Sequence, residues 1–441
     1  MTTRGEPVAT DPLEDYDPLS REVQTEPWAW YRRAQRGCPV HRHVLPPEEA
    51  NKTSANPLIG RRAPEFYSLF RFEDVRRAAA DNALFLSKDG PGPEFLVALN
   101  GVGMLLYADE PVHHQQRRIV SKALSPRAIA EIEPRIREIA AELVDAFAGR
   151  GSCDLASEFA ELLPGRVFAE IFGVSSADHE RFKRWVDDIV GAFGGDEEAE
   201  RRSIESMGEL AAYFLAIISD RRAALAAGEA VPDDLLSGLL TAEYDGKRFD
   251  DTDMLLVIHI LLAGGHETTS SALGNIGYLF ATHPEQLRAL QEDRSLIPNA
   301  VEEVLRYDAP IAGLFRTTAE PCDIEGVEIP EGAKVRLVWS AANRDPEAFE
   351  NPDTFDIHRD LATLRQHMAF GFGIHGCVGM ALARLEMTIA IETLLDRLGT
   401  WQLDPFHPPE RGDNLIVRRF DTLPLVFPVP DGPSVQGGSS A

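Results

Sequence analysis

Apolar residues recur every three or four positions along AIAEIEPRIREIAAELVDAFA (128–148), ELAAYFLAIISDRRAALAA (209–227) and MALARLEMTIAIETLLDRL (380–398). That spacing predicts amphipathic helices. Strand-like runs are few and short: EFYSLF (65–70), GVEIP (326–330), AKVRLVW (333–339) and TLPLVFPV (422–429), bounded by glycine or proline. The pattern predicts a mainly α protein with small β-sheets. No repeat and no Pro/Gly/Ser-rich linker long enough to divide the chain into separate domains interrupts it, so residues 21–430 read as one large domain. Residues 1–20 and the small, polar DGPSVQGGSSA (431–441) are expected to be disordered tails. Residues 44–64 read as a long polar loop, a length that in a compact domain points to function or disorder.

The chain has 441 residues, 44% of them hydrophobic, enough for a large core. Lys and Arg total 44 against 71 Asp and Glu, a formal net charge of −27. Nucleic acid and anionic membranes are therefore not expected as general partners, since both are polyanions. Cys38, Cys153, Cys322 and Cys377 are far apart and form no C-x-x-C pair, which excludes a disulfide framework or zinc ribbon and fits a reducing cytoplasm. The acidic, proline-bearing N-terminus has neither signal-peptide nor transit-peptide character. The longest apolar run, MLLVIHILLA (254–263), has ten residues, whereas a membrane helix needs about 20. A soluble, cytoplasmic protein is expected.

The stretch FGFGIHGCVG (370–379) places Gly371, Gly373 and Gly376 in a G-x-G-x-x-G spacing. A dinucleotide turn would follow an apolar strand and send an acidic residue to the end of a second strand about 20 positions on. Here the preceding TLRQHMAF is too polar for a buried strand, and Asp396 lies inside the 380–398 helical pattern. The fingerprint is accidental. What remains is a glycine-rich loop that delivers Cys377 to the start of a helix, where backbone N–H groups favour a thiolate. Glycines on both sides let a flat, bulky object approach the backbone. Taken alone, a lone cysteine near a turn is more often buried and inert.

The series Phe370, Gly371, Gly373, His375, Cys377 and Gly379 resembles the haem-binding signature F-G-x-G-x-H-x-C-x-G of the cytochrome P450 family. Other stretches resemble further motifs of that family, in order: ADEPVHHQQRRIVSKALSP (108–126), AGGHETT (263–269), EVLR (303–306) and NRDPEAFENPDTFDIHR (343–359). The resemblance covers about residues 65–430 and implies the cytochrome P450 fold. It implies a haem-thiolate monooxygenase with Cys377 as the axial ligand of haem b iron and O2 as co-substrate. Ala263 and Gly264 would lie over the haem and leave room for O2, and Glu267 with Thr268 would deliver protons. Thr269 remains a competitor for Thr268. His113, Arg117, Arg316 and His375 would hold the haem propionates, with His114 and Arg118 as rival neighbours.

Glu303 and Arg306, spaced i,i+3, look by themselves like a surface ion pair of little worth. The resemblance makes them a structural pair tied to the segment before the haem loop. Its usual basic third partner is missing from PDTF (352–355), leaving Arg344 and Arg359 as candidates. Ile260, Ala263, Ile311, Ala312, Leu314 and Phe315, with the 86–106 loop, are the expected substrate pocket. Their apolar character implies a small or mid-sized apolar substrate: a terpenoid, steroid, fatty acid or polyketide. His259 is expected to be a satisfied core histidine. Electrons would come from NAD(P)H through a ferredoxin or flavodoxin and its reductase, steered by Arg117, Arg118, Lys122 and Arg127. The rival functions are a peroxide-driven peroxygenase and a non-catalytic haem-binding or sensor protein.

Overall fold

The computed structural model describes residues 13–51, 59–96, 105–191, 197–243 and 246–429. Seven of its helices frame the argument: α1 (Val112–Ala123), α2 (Pro126–Ala148), α3 (Leu162–Ile171), α4 (Glu197–Ala226), α5 (Asp251–Thr282), α6 (Ile297–Tyr307) and α7 (Met380–Arg397). The three periodic stretches form α2, α4 and α7. α4 begins well before the periodic stretch at 209–227. Its first turns are polar, so helix formation there comes from charged i,i+3 and i,i+4 pairs such as Arg201 with Glu198 and Glu205.

α5 runs through the middle of the molecule. It starts on a capping box, the Asp250 carboxylate accepting from Asp253 N–H at 2.8 Å while Asp253 accepts from Asp250 N–H at 3.2 Å. Its C-terminal half buries Leu273, Ile276 and Phe280 in a core shared with Phe147 of α2, Leu163 of α3, Val304 of α6 and Met387 and Ile391 of α7. Its N-terminal half packs with α4 in a second core around Trp185 and Phe214. The polar GGHETTSS centre of α5 lies between these two anchored ends.

Of the expected strands, those within 326–330 and 422–429 pair in smaller sheets. The two within 65–70 and 333–339 join a five-stranded sheet of β1 (Val40–Val44), β2 (Glu65–Leu69), β3 (Phe85–Leu86), β4 (Leu314–Thr318) and β5 (Lys334–Leu337), whose other three strands the sequence pattern did not mark. The spatial order is β1-β2-β5-β4-β3, and only β2 and β5 run parallel. β4 pairs antiparallel with β5, Arg316 opposite Val335. Residues 13–20 are not a disordered tail: Leu13 and Tyr16 are buried against Tyr31 and Phe70, and Ser20 caps the next helix. Their apolar side chains are enough to dock them. Residues 1–12 and 430–441 lie outside the described residues. The 44–64 stretch carries a short helix, Pro47–Ala50, and a strand, Ile59–Arg62, held to Glu94–Leu96 with Arg62 bridging Glu49 and Glu94. Residues 52–58 lie outside the described residues as well.

Glu303 and Arg306 are both 0% exposed, so the surface-pair reading fails: residues 300–306 of α6 are all buried. Arg306 donates to Glu303 through Nε at 2.7 Å and Nη2 at 2.8 Å, and to the carbonyls of Asn343, Pro352 and Thr354. The third partner is Arg359, whose Nε lies 3.3 Å from Glu303 Oε1. Arg344 instead stacks between the rings of Trp28 and Tyr307 at 3.6 and 3.7 Å. Removing one member of a buried pair leaves its partner's charge uncompensated. Glu303→Ala should therefore lower the unfolding free energy by about 3–5 kcal/mol in chemical denaturation. Arg397→Ala, which breaks an exposed pair with Asp145, should change it by less than about 1 kcal/mol. Equal losses in the two variants would contradict the assignment.

Candidate active site

Between α5 and the 370–379 loop lies a cavity of about 350 Å³ with mainly apolar walls. Cys377 stands on one wall, three residues ahead of α7. Its N–H donates to the Phe370 carbonyl at 2.8 Å, which closes the loop on itself. Gly371 and Gly373 have φ of +68° and +71°, a region that side chains disfavour. A Cβ on Gly373 would also sit 2.5 Å from the Ala79 carbonyl oxygen. The glycines thus serve a tight turn pressed on a neighbouring helix, in keeping with the rejection of a phosphate cradle.

The Cys377 thiol is pushed up by burial, against the lowering effects of the Gly379 N–H and the cations of Arg117 and Arg384. The backbone N–H at the helix start thus favours the thiolate as expected, while desolvation acts against it. A bound metal ion reverses that balance, because a coordinating thiol loses its proton outright. Among the described residues no group of three or more His, Cys, Asp or Glu could hold a metal ion. A metal at Cys377 must therefore bring most of its own ligands.

Four basic side chains gather beside the sulfur. His113 of α1 is 1% exposed, and neither ring nitrogen has a hydrogen-bond partner; Nδ1 lies 3.8 Å from Glu110 Oε1. Its ring centroid is 4.2 Å from that of His375, whose Nε2 is 3.0 Å from Ser87 Oγ. Arg316, on β4, is 4% exposed and donates Nη1 to the Phe315 carbonyl at 2.9 Å. Arg117 lines the same cavity. Burial pushes Arg316 down to about 10 and lowers Arg117; burial and then the charges of Arg316, His113 and Arg117 take His375 down to about 3. The buried Arg316 and half-buried Arg117, beside the imidazole rings of His113 and His375, fit a ligand carrying anionic groups. Opposite them, a Cβ on Gly264 or Gly265 would enter open space, so α5 leaves room over the cavity. A metal-bearing macrocycle with two carboxylates fits this donor set.

Glu267 is 7% exposed and is pushed up to about 7 by burial, with Arg419 pulling the other way from 3.9 Å. It lines both the main cavity and a smaller one of about 210 Å³ that Glu161, Asp187, His266 and Arg419 share. The Thr268 hydroxyl donates to the Gly264 carbonyl and lies on the main cavity wall. Thr269 also borders the cavity but is 4% exposed, the more deeply buried of the two.

Of the expected pocket residues, Ile260, Ala263, Ile311 and Leu314 line the cavity together with Phe370 and Gly379. Ala312 and Phe315 do not. Side chains alternate across a strand, so Leu314 and Arg316 reach the cavity while Phe315 turns to Phe66, 5.1 Å between ring centroids. Ala312 is buried and donates its N–H to the Ile416 carbonyl at 2.7 Å. His259 lines the cavity as well, contrary to the core reading. Of the 86–106 loop, Pro91, Leu105 and Leu106 reach it, and 97–104 falls outside the described residues. Phe168, Phe172, Asn414, Ile416 and Val417 complete the wall. No local pattern marks them, since they arrive from distant segments.

A single cysteine facing a helix that is open at two glycines, with two arginines alongside, is the donor set that would hold a haem through a thiolate. The comparisons with known proteins agree. The Cytochrome P450 family model matches residues 70–419. The cytochrome P450 monooxygenase PikC of Streptomyces venezuelae is 36% identical over 406 residues, 90% of each chain. The cyclomarin C epoxidase CymV of Salinispora arenicola is 34% identical over 374 residues, 83% of this chain and 88% of that protein. The crystal structure of CYP109E1 from Bacillus megaterium with testosterone superposes with a TM-score of 0.78 at 29% identity, covering 92% of this chain and 100% of that one. This chain belongs to the cytochrome P450 family. It is a haem-thiolate monooxygenase that hydroxylates or epoxidises its substrate with O2. Among the described residues, no helix is long and apolar enough to cross a membrane.

The Glu267 carboxyl gives a stability signature. Its pKa is higher in the folded protein, about 7, than its ordinary 4.5. The folded state then holds the proton more tightly; that contribution is full below pH 4.5 and is lost as pH rises through 7. Glu267→Gln, which cannot ionise, should match the parent in thermal unfolding near pH 4.5 and exceed it above pH 7. The gain should reach about 3 kcal/mol at most. An unchanged difference across this range would refute the assignment.

Proposed function

We propose that the chain binds haem b through Cys377 and oxidises a small or mid-sized apolar organic molecule of steroid, terpenoid, fatty-acid or polyketide type. The observation that carries this is the placement of Cys377 with the basic side chains His113, Arg117, Arg316 and His375 on one apolar cavity. The bound haem supplies the redox chemistry that transfers one oxygen atom of O2 to the substrate. Arg117 and Arg316 would balance the charge of its propionates, His113 and His375 would hydrogen-bond to them, and Phe370 and Gly379 would border it. Ala263 and Gly264 keep the opposite side open for O2.

The remaining chemistry belongs to the protein. Glu267, balanced near neutral pH between two cavities, takes a proton from water on the Arg419 side and passes it toward Thr268. The Thr268 hydroxyl, which donates to the Gly264 carbonyl at rest, turns from that acceptor to present a proton to the cavity from Oγ1. Ile260, Ile311 and Leu314 exclude water and hold apolar substrate. The relative CYP109E1, whose structure contains testosterone, supports a substrate of this class. Glu303 and Arg306 act structurally.

Electrons reach the site from NAD(P)H through a ferredoxin or flavodoxin and its reductase. The surface hollow shared by Arg117, Arg118, Lys122 and the loop residues Gly373 and Ile374 supports docking of an acidic partner there. Arg127 adds less, because it already pairs with Glu131 at 2.9 Å. The absence of any disulfide among the four cysteines is in keeping with a cytoplasmic site of action.

Cys377→Ala should abolish the thiolate-type absorption band of the reduced carbon monoxide complex, and a variant keeping that band would defeat the reading. Thr268→Ala should still accept electrons but yield at least about tenfold less product per electron consumed. Unchanged coupling would remove Thr268 from the relay. Reversing Arg118 and Lys122 to glutamate should slow reduction by the protein partner while leaving reduction by dithionite alone.

A further inference from the structure

Glu302, beside Glu303 on α6, faces a different region of the molecule. It is 2% exposed, and its carboxylate is shared among three side chains from outside its own helix. Arg384 of α7 donates to it through Nε at 2.8 Å and Nη2 at 3.1 Å. His367 Nε2 lies at 2.9 Å and Arg365 Nε at 3.4 Å. The Ala369 N–H donates to His367 Nδ1 at 3.2 Å, so that nitrogen carries no proton. Nε2 is then the ring nitrogen that donates to Glu302.

Two of these three partners, Arg384 and His367, flank one ring. The Arg384 guanidinium lies 4.7 Å from the Phe370 centroid, and the His367 ring is 5.9 Å from it. The carbonyl of the same Phe370 accepts the Cys377 N–H. Two routes thus lead from Glu302 to the sulfur loop, one through His367 and Ala369, the other through Arg384 and Phe370. The cations acting on the sulfur are Arg117 from α1 and Arg384 from α7, joined by the Gly379 N–H.

We propose that Glu302 is a positioning residue for Cys377. Through His367 and Arg384 it holds Phe370 in place and sets how much of the Arg384 charge reaches the sulfur. This rests on Cys377 being the metal ligand. When the bound metal takes up one electron from the external donor, no bond forms or breaks, and the site gains one negative charge. Nearby positive charge favours that state and a nearby carboxylate opposes it.

The test is a spectroelectrochemical titration of the substrate-free holoenzyme, with small-molecule mediators so that partner docking plays no role. Glu302→Gln should shift the one-electron reduction equilibrium about tenfold toward the reduced form, about 59 mV. Arg384→Gln should shift it comparably the other way. Opposite signs are the signature of charge, whereas simple loosening of the loop would move both variants in one direction. Shifts of the same sign, or none, overturn the inference. If Glu302→Gln does not take up haem, Arg384→Gln decides alone, and anything but a shift toward the oxidised form overturns it. The carbonyl complex of the parent is recorded alongside. A parent without the thiolate-type band defeats the underlying reading, while a parent with that band and unshifted variants defeats only the role of Glu302.

Discussion

The architecture around position 377 serves to hold one sulfur atom in place on the cavity wall. Burial raises the proton affinity of Cys377 despite two nearby arginines and a backbone N–H. The sulfur becomes a thiolate donor only when a metal takes the place of its proton. Because the loop carries no other ligand, its geometry must hold one atom at one place. Two left-handed glycines, the Cys377-to-Phe370 hydrogen bond and the rigid start of α7 accomplish this.

Helix α6 is the brace behind that loop. Glu303 faces the 343–359 segment through Arg306 and Arg359, and Glu302 faces the 367–384 segment through His367 and Arg384. Successive residues on a helix point about 100° apart. Two adjacent glutamates can therefore clamp two different stretches of irregular chain. Irregular backbone seldom keeps one conformation on apolar packing alone. Here charged groups supply direction as well as energy, and their burial makes their loss costly.

On the other side of the cavity, α5 combines rigidity with openness. Its ends are locked into two separate cores, while its centre carries two glycines with open space beyond them and a carboxyl poised near neutral pH. Each glycine costs about 1 kcal/mol of helix stability relative to alanine. The packed ends offset that cost and let the middle serve chemistry.

Chain order alone determined much of this. The spacing of apolar residues set the helices α2 and α7 and the strands β2 and β5, and the stretches around Cys377, Glu267 and Glu303 pointed to the candidate site through their resemblance to family motifs, because such signals lie within a few positions of one another. The tertiary structure decided the rest. The i,i+3 spacing of Glu303 and Arg306 is the same on a surface helix and a buried one, so their burial and the choice of Arg359 over Arg344 were settled by packing. Strand register, invisible in composition, sent Leu314 and Arg316 to the cavity and Phe315 away from it. Leu13 and Tyr16 looked like tail until a core received them. The preference of the Cys377 sulfur for its proton followed from desolvation, which depends on what surrounds a group in space and on nothing local in the chain.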